Sequence, residues 1–257
     1  HHLVDVADPA EEWSVRLTQQ AARRALGEIE ARGGRALLVG GTGLYVRAVI
    51  DDLAVPTGDA AVRGDLEAET ATPEGLAAAR ERLVRLDPVA AARIEPGNRR
   101  RIVRALEVIA ITGAPFSASG PGLDAYGPPA LDVALVGIDL PPDLLSDRIG
   151  ARVEAMRHDG FVEEVEGLAA RPGGWSRTAR KAIGYGEIIE HLESGTPLDA
   201  ALDRIVVRTR QLARRQRAWF RRDPRTVWIA GNRSPAEVAD EVMGVWGASA
   251  PAGAAAP

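Results

Sequence analysis

Apolar positions recur with a period near 3.6 over most of this chain, and short continuous apolar runs break that period at a few places. Ser14 is a fitting N-cap, and residues 15–32 read as an amphipathic helix stopped by Gly33-Gly34. Arg35 to Val39 (RALLV) reads as a buried strand. Gly40-Gly41-Thr42-Gly43 follows at once, and LYVRAVIDDL reads as the next helix. A strand, a glycine turn and a helix in that order are the usual setting of a phosphate site in an α/β protein.

From about Pro56 the pattern becomes wholly helical. Residues 59–72, 74–86, 88–94 and 98–112 read as short helices, with Pro73 and Pro88 at helix starts and Gly113 as a stop. The Pro/Gly-rich stretch 114–130 reads as a linker. Leu131 to Leu140 is a second strand candidate, followed by helices at about 143–158, 161–170, 177–193 and 198–222. Thr226 to Ala230 reads as a last strand and 235–246 as a last helix. The expected organisation is a discontinuous α/β core (1–54 and 130–247), a helical insertion with its linker (55–129) and a disordered tail (248–257).

The chain has 257 residues and no cysteine, which excludes disulfide scaffolds, thiolate metal sites and thiol nucleophiles. No apolar run reaches the roughly 20 residues that span a bilayer, and no signal peptide is visible, so a cytoplasmic protein without membrane contact is expected. The net charge of −4 hides a strong asymmetry. Residues 1–98 carry 11 Arg against 16 Asp and Glu, whereas residues 204–225 carry nine Arg against Asp223 alone. Arg99-Arg100-Arg101 with Arg104 repeats the theme. Such stripes suit a phosphate-rich partner, although a solvated helix face would look the same. Lys181 is the single lysine and lies in RKAIGYG, so no GxxxxGK[ST] loop is present in these residues.

Three groups of residues could carry chemistry. The GGTG turn matches a dinucleotide fingerprint only in part, because Val46 stands where its last glycine belongs. It fits better as a diphosphate cradle built from helix N–H groups and the Thr42 hydroxyl, the plain alternative being a simple turn. Arg148 and Arg152 lie four apart on one helix face, where two guanidinium groups can grip a diphosphate or simply sit in solvent. RTRQLARRQRAWFRR interleaves arginines with Gln216, Trp219 and Phe220, a mixture that can bind phosphates and stack unpaired bases. Glu163, Glu164 and Glu166 read as a solvated helix face, and no Ser-His-Asp arrangement is apparent.

The runs LLVGGTGLYVRAVIDDL, RRRIVRALEVIAITGAPFS, DRIGARVEAMRHDGFVEEV, KAIGYGEI and RTRQLARRQRAWFRRD, with the opening HHLVDVADPAEEWS, resemble the bacterial tRNA dimethylallyltransferases (tRNA isopentenyltransferases) over about residues 1–230. The resemblance implies a P-loop-NTPase-like parallel sheet covered by helices, with an all-helical insertion. It implies transfer of a dimethylallyl group from its diphosphate, with Mg²⁺, to N6 of the adenosine 3′ to the anticodon. Gly40, Gly41, Thr42, Arg148 and Arg152 would hold the diphosphate, with Thr42 and Arg152 catalytic and no metal ligand supplied by the protein. Gly43, Arg100, Arg101, Arg104, Lys181, Ala182, Ile183, Gly184, Tyr185, Arg214, Arg215, Gln216, Trp219 and Arg221 would meet tRNA. The family also has a first strand, a GPTxSGKS-like loop and an Asp-Ser segment carrying the general base, none of which is in this sequence. The expectation is a fragment of a monomeric enzyme, inactive by itself. Gly186, where Lys or Arg is usual, and Thr18, where an aromatic is usual, depart from the pattern. The alternatives are a non-catalytic tRNA-binding protein, an isopentenyltransferase for free adenine nucleotides, which would need neither basic stripe, and a NAD-binding protein, against which Val46 argues.

Overall fold

A computed structural model describes residues 1–120, 123 and 125–248. The chain divides into two compact units, 47–128 and the remainder. The positions from 249 onward, in the expected tail, lie outside the described residues.

Unit 47–128 follows from its caps. Asp59, Thr72, Asp87 and Asn98 accept backbone N–H groups at the starts of α3 (Ala60–Glu69), α4 (Pro73–Leu86), α5 (Pro88–Arg93) and α6 (Arg99–Thr112). Each satisfies donors that a first helical turn leaves open. Gly113 ends α6 at a φ of 68°, a conformation that costs glycine little. Leu66, Leu83, Ile94, Ile102 and Leu106 form the core that these helices share, and a 3₁₀ turn (Phe116–Ser119) packs on it through Phe116. Inside that unit Glu107 is fully buried, bonded to Arg63 and Arg104 at 2.7 Å each and to the Asp59 amide at 3.0 Å.

The other unit begins with α1 (Val15–Ala31), capped by Ser14, and contains the GGTG turn with the start of α2 (Gly43–Ile50). After β1 (Leu135–Asp139) come α7 (Pro142–His158), α8 (Phe161–Ala169), α9 (Arg177–Arg180), α10 (Tyr185–Ser194) and α11 (Leu198–Arg221). Then come β2 (Thr226–Ala230) and α12 (Pro235–Ala248). β1 and β2 pair in parallel, with Gly137 opposite Trp228. A Cβ on Gly137 would lie 2.8 Å from that indole, so the glycine lets the ring cover the strand. Val153, Phe161, Val165, Ile188, Leu202 and Ile205 make the core of the helical layer.

Two expectations need correction. Residues 35–39 are not a strand: the segment has no ladder partner among the described residues, and Leu37 and Val39 are 67% and 82% exposed. An apolar run becomes a strand only where a neighbour takes up its backbone donors and acceptors. The helix expected over 177–193 is two helices, α9 and α10, separated at 181–184, where Gly184 starts α10 with a φ of 99° that glycine adopts at little cost.

Candidate functional site

The glycine turn is shaped by α11. A Cβ on Gly41 would overlap the Gln216 amide, and one on Gly43 would overlap the Trp219 indole. Gly43 therefore makes room for a bulky ring of α11, whereas at Gly41 the flexible Gln216 tip could swing aside. The Thr42 carbonyl accepts the amides of Tyr45 (2.9 Å) and Val46 (3.1 Å), which sets Thr42 at the start of α2 with its side chain exposed. Burial raises the pKa of the Tyr45 phenol.

Arg148 and Arg152 are both exposed on α7 and have no acidic partner among the described residues. Six of the seven arginines of α11 sort into two kinds. Arg204 pairs with Glu190 at 3.4 Å, Arg208 with the buried Glu187, and Arg217 and Arg221 both with Asp139 at 2.9 and 3.1 Å. Arg214 and Arg215, between them in sequence, are exposed and hold no acid among the described residues. The charge stripe is thus partly internal bracing and partly open surface. Asp139, at the end of β1, carries no motif that would single it out in the sequence; it joins β1 to α11 and lines a cavity of about 380 Å³ with Arg217, Trp228 and Asn232.

The KAIGY loop is held from three sides. The Gly184 amide donates to Glu187 Oε2 at 2.8 Å, and the other oxygen of Glu187 accepts from Arg208. A Cβ on Gly184 would touch the Phe161 ring at 3.0 Å. Tyr185 packs edge-on against Phe161, with centroids 5.2 Å apart, and its hydroxyl donates to Glu164 at 2.6 Å. Burial first, and then the bond to Glu164 and its charge, push the Tyr185 phenol up to about 12. It stays protonated at neutral pH and cannot act as a base there. Ile183 packs against the core, while Lys181 and Ala182 are exposed.

Gly186 and Thr18, which stand where Lys or Arg and an aromatic are expected, each sit in a defined local setting. A Cβ on Gly186 would sit 2.8 Å from the Arg180 carbonyl. Thr18 accepts the Trp13 indole N–H at 2.8 Å. The segment before α1 is stitched to the start of α9: Glu12 accepts the Arg177 amide (2.7 Å) and the Thr178 hydroxyl (2.5 Å). That hydroxyl, helped by backbone amides, holds the Glu12 carboxyl below its ordinary range. Only long-range contact reveals this stitch; nothing in local spacing announces it.

In unit 47–128, Arg100 and Arg101 are exposed on α6 and have no acidic partner among the described residues. Arg104 is committed to Glu107 and to the Pro56 carbonyl, each at 2.7 Å. Among the described residues no helix is long and apolar enough to cross a membrane. No group of three or more His, Asp or Glu there could hold a metal ion.

A family model described as IPP transferase matches residues 1–223. The chain is 46% identical over 247 residues to a tRNA dimethylallyltransferase of Kineococcus radiotolerans, covering 95% of this chain and 76% of that one. It is 47% identical over 229 residues to one of Salinispora arenicola, covering 89% and 66% respectively. Among solved structures it resembles the full-length tRNA isopentenylpyrophosphate transferase of Bacillus halodurans, with 33% identity and a TM-score of 0.65 over 97% of this chain and 78% of that one. A eukaryotic dimethylallyltransferase seen acting on tRNA shares the fold at a TM-score of 0.75 and 21% identity, over 98% of this chain and 66% of that one.

Proposed function

The chain belongs to the IPP transferase family, and from that premise we propose that it serves the prenylation of tRNA: a dimethylallyl group passes from its diphosphate to N6 of the adenosine 3′ to the anticodon. The C–O bond to the diphosphate breaks, the N6–C bond forms, N6 loses a proton and diphosphate leaves. On this reading the Gly40–Gly43 turn holds the diphosphate by its amides and the Thr42 hydroxyl. Arg152, helped by Arg148, meets the charge that grows on the leaving group. Lys181 to Tyr185 receive the adenosine once it has left its stack, at a cost of a few kcal/mol that tRNA contacts offset. Arg100, Arg101, Arg214 and Arg215 bind phosphates of the anticodon stem-loop. The sheet is read as part of a P-loop-NTPase-like core.

The observation that carries the reading is that one helix does two things. α11 presses Gln216 and Trp219 onto the turn and presents Arg214 and Arg215 without acidic partners among the described residues. A turn of three glycines and a threonine does not fit a Mg²⁺ site of the protein's own; the cation would arrive on the diphosphate oxygens. Tyr185, held protonated, does not take the N6 proton. No residue of the site is assigned as the general base, so we expect these 257 residues to bind tRNA without catalysing transfer by themselves, and product formed by the purified chain would overturn that part.

Binding of a fluorescent anticodon stem-loop across a salt series tests the rest. Replacing Arg214 and Arg215 with alanine should weaken binding and lower the log–log salt slope by roughly one unit for each phosphate no longer neutralised. An unchanged slope would reduce this face of α11 to solvated surface.

A further inference from the structure

Gln216 and Trp219 of α11 stand next to the two open arginines yet point onto the glycine turn. The five-membered ring of Trp219 fills the space beside Gly43, where a Cβ would run into Nε1, Cδ1 and Cε2. Trp219 Nε1 is buried and has no hydrogen-bond partner among the described residues. A buried N–H without an acceptor is a cost that a small displacement of the ring can relieve. The Arg222 guanidinium lies over the same ring, 5.4 Å from its centroid. The indole is thus in contact with the turn and with a surface arginine just past α11, and a shift at either is felt at the other.

Resting on the functional reading above, we propose that Gln216 and Trp219 are positioning residues that link the two binding events. A diphosphate in the Gly40–Gly43 turn displaces the indole and amide, and with them the face of α11 offered to tRNA. By thermodynamic reciprocity, tRNA on α11 alters diphosphate affinity by the same factor. This is separate from direct contact of either side chain with nucleic acid, because it predicts a cross-effect between two ligands.

The test labels the whole chain with 5-fluorotryptophan and assigns the Trp219 resonance from Trp219→Phe. Inorganic pyrophosphate and an anticodon stem-loop are titrated separately and together. The Trp219 signal should move with each ligand, and pyrophosphate should change the stem-loop Kd by about fivefold, with the reciprocal change in its own Kd. Trp219→Phe and Gln216→Ala should bring that factor to one, and so should Gly43→Ala, which displaces the ring without removing it. If a variant loses its helical circular dichroism, the reciprocal factor in the unaltered chain still decides. A factor of one there, or no pyrophosphate binding, overturns the linkage and leaves the tRNA reading standing. An equal loss of stem-loop affinity with and without pyrophosphate in Trp219→Phe also overturns it, making Trp219 a plain tRNA contact. No stem-loop binding by the unaltered chain overturns the tRNA reading, and the linkage falls with it.

Discussion

The helical unit at 47–128 holds each of its buried carboxylates Asp87 and Glu107 with several donors, whereas the sheet-bearing unit leaves apolar side chains of its strand-like segments exposed. Glu107 and Asp87 are almost wholly buried, and each has several donors. In the other unit Leu37, Val39, Ile138 and Val227 face solvent. The difference follows from contact range. Helices capped by their own neighbours in sequence close a core from local material, whereas strands depend on partners far along the chain. Stability in this molecule should therefore be uneven. All five tryptophans lie outside 47–128, so indole fluorescence reports the sheet-bearing unit while helical circular dichroism reports both.

The largest expected effect comes from the closed core. Leu83 is fully buried; Leu83→Ala should cost about 3 kcal/mol in urea unfolding followed by circular dichroism. The fluorescence transition should stay where it is. If both transitions move together, the two units unfold as one and the contrast collapses.

Acid gives the next effect. Burial alone would raise the pKa of Glu107, but Arg63, Arg104 and the Asp59 amide more than offset it, and the carboxyl is held below its ordinary value. Asp87 is likewise lowered, burial being outweighed by the Ala90 amide and by the amide and hydroxyl of Ser117. A carboxyl with a depressed folded pKa stabilises fully above its unfolded value, and that stability is lost as pH falls through the folded one. The helical transition should weaken as pH drops below about 4, and Glu107→Gln should lower it at pH 7 while flattening its pH dependence. A variant with the original acid sensitivity would remove Glu107 from the explanation.

The smallest effect belongs to the open surface. Val39→Ser should change stability by no more than about 0.5 kcal/mol, read from the fluorescence transition. A loss above about 1 kcal/mol would mean that the segment is covered in solution.

Much of this was legible in advance because the signals were local. Ser14, Pro73, Pro88 and Gly113 mark helix ends by their own chemistry, and the structure places helix ends there. RALLV misled because an apolar run states a preference for burial and does not name the partner. The break at 181–184 was hidden because the close packing of Gly184 beside Phe161 joins residues more than twenty apart, which local spacing does not announce. At the candidate site the residue types were readable but their neighbours were not. Gly41 and Gly43 read as a phosphate cradle, and Gly43 also proves to be clearance for Trp219. Arg104, Arg217 and Arg221 looked like their open neighbours until Glu107 and Asp139 were seen to hold them.

The strand pair has a consequence in time. Leu135 meets Thr226 across about ninety residues of intervening helix. At roughly 5–20 residues per second, a ribosome exposes β1 for several seconds before its partner exists. The helices α7 to α11 can form during that interval, and the ladder closes only after β2 emerges. A slowly translated stretch between the two strands would lengthen the wait of an unpaired apolar edge and should raise the yield of aggregated chain without altering the finished fold.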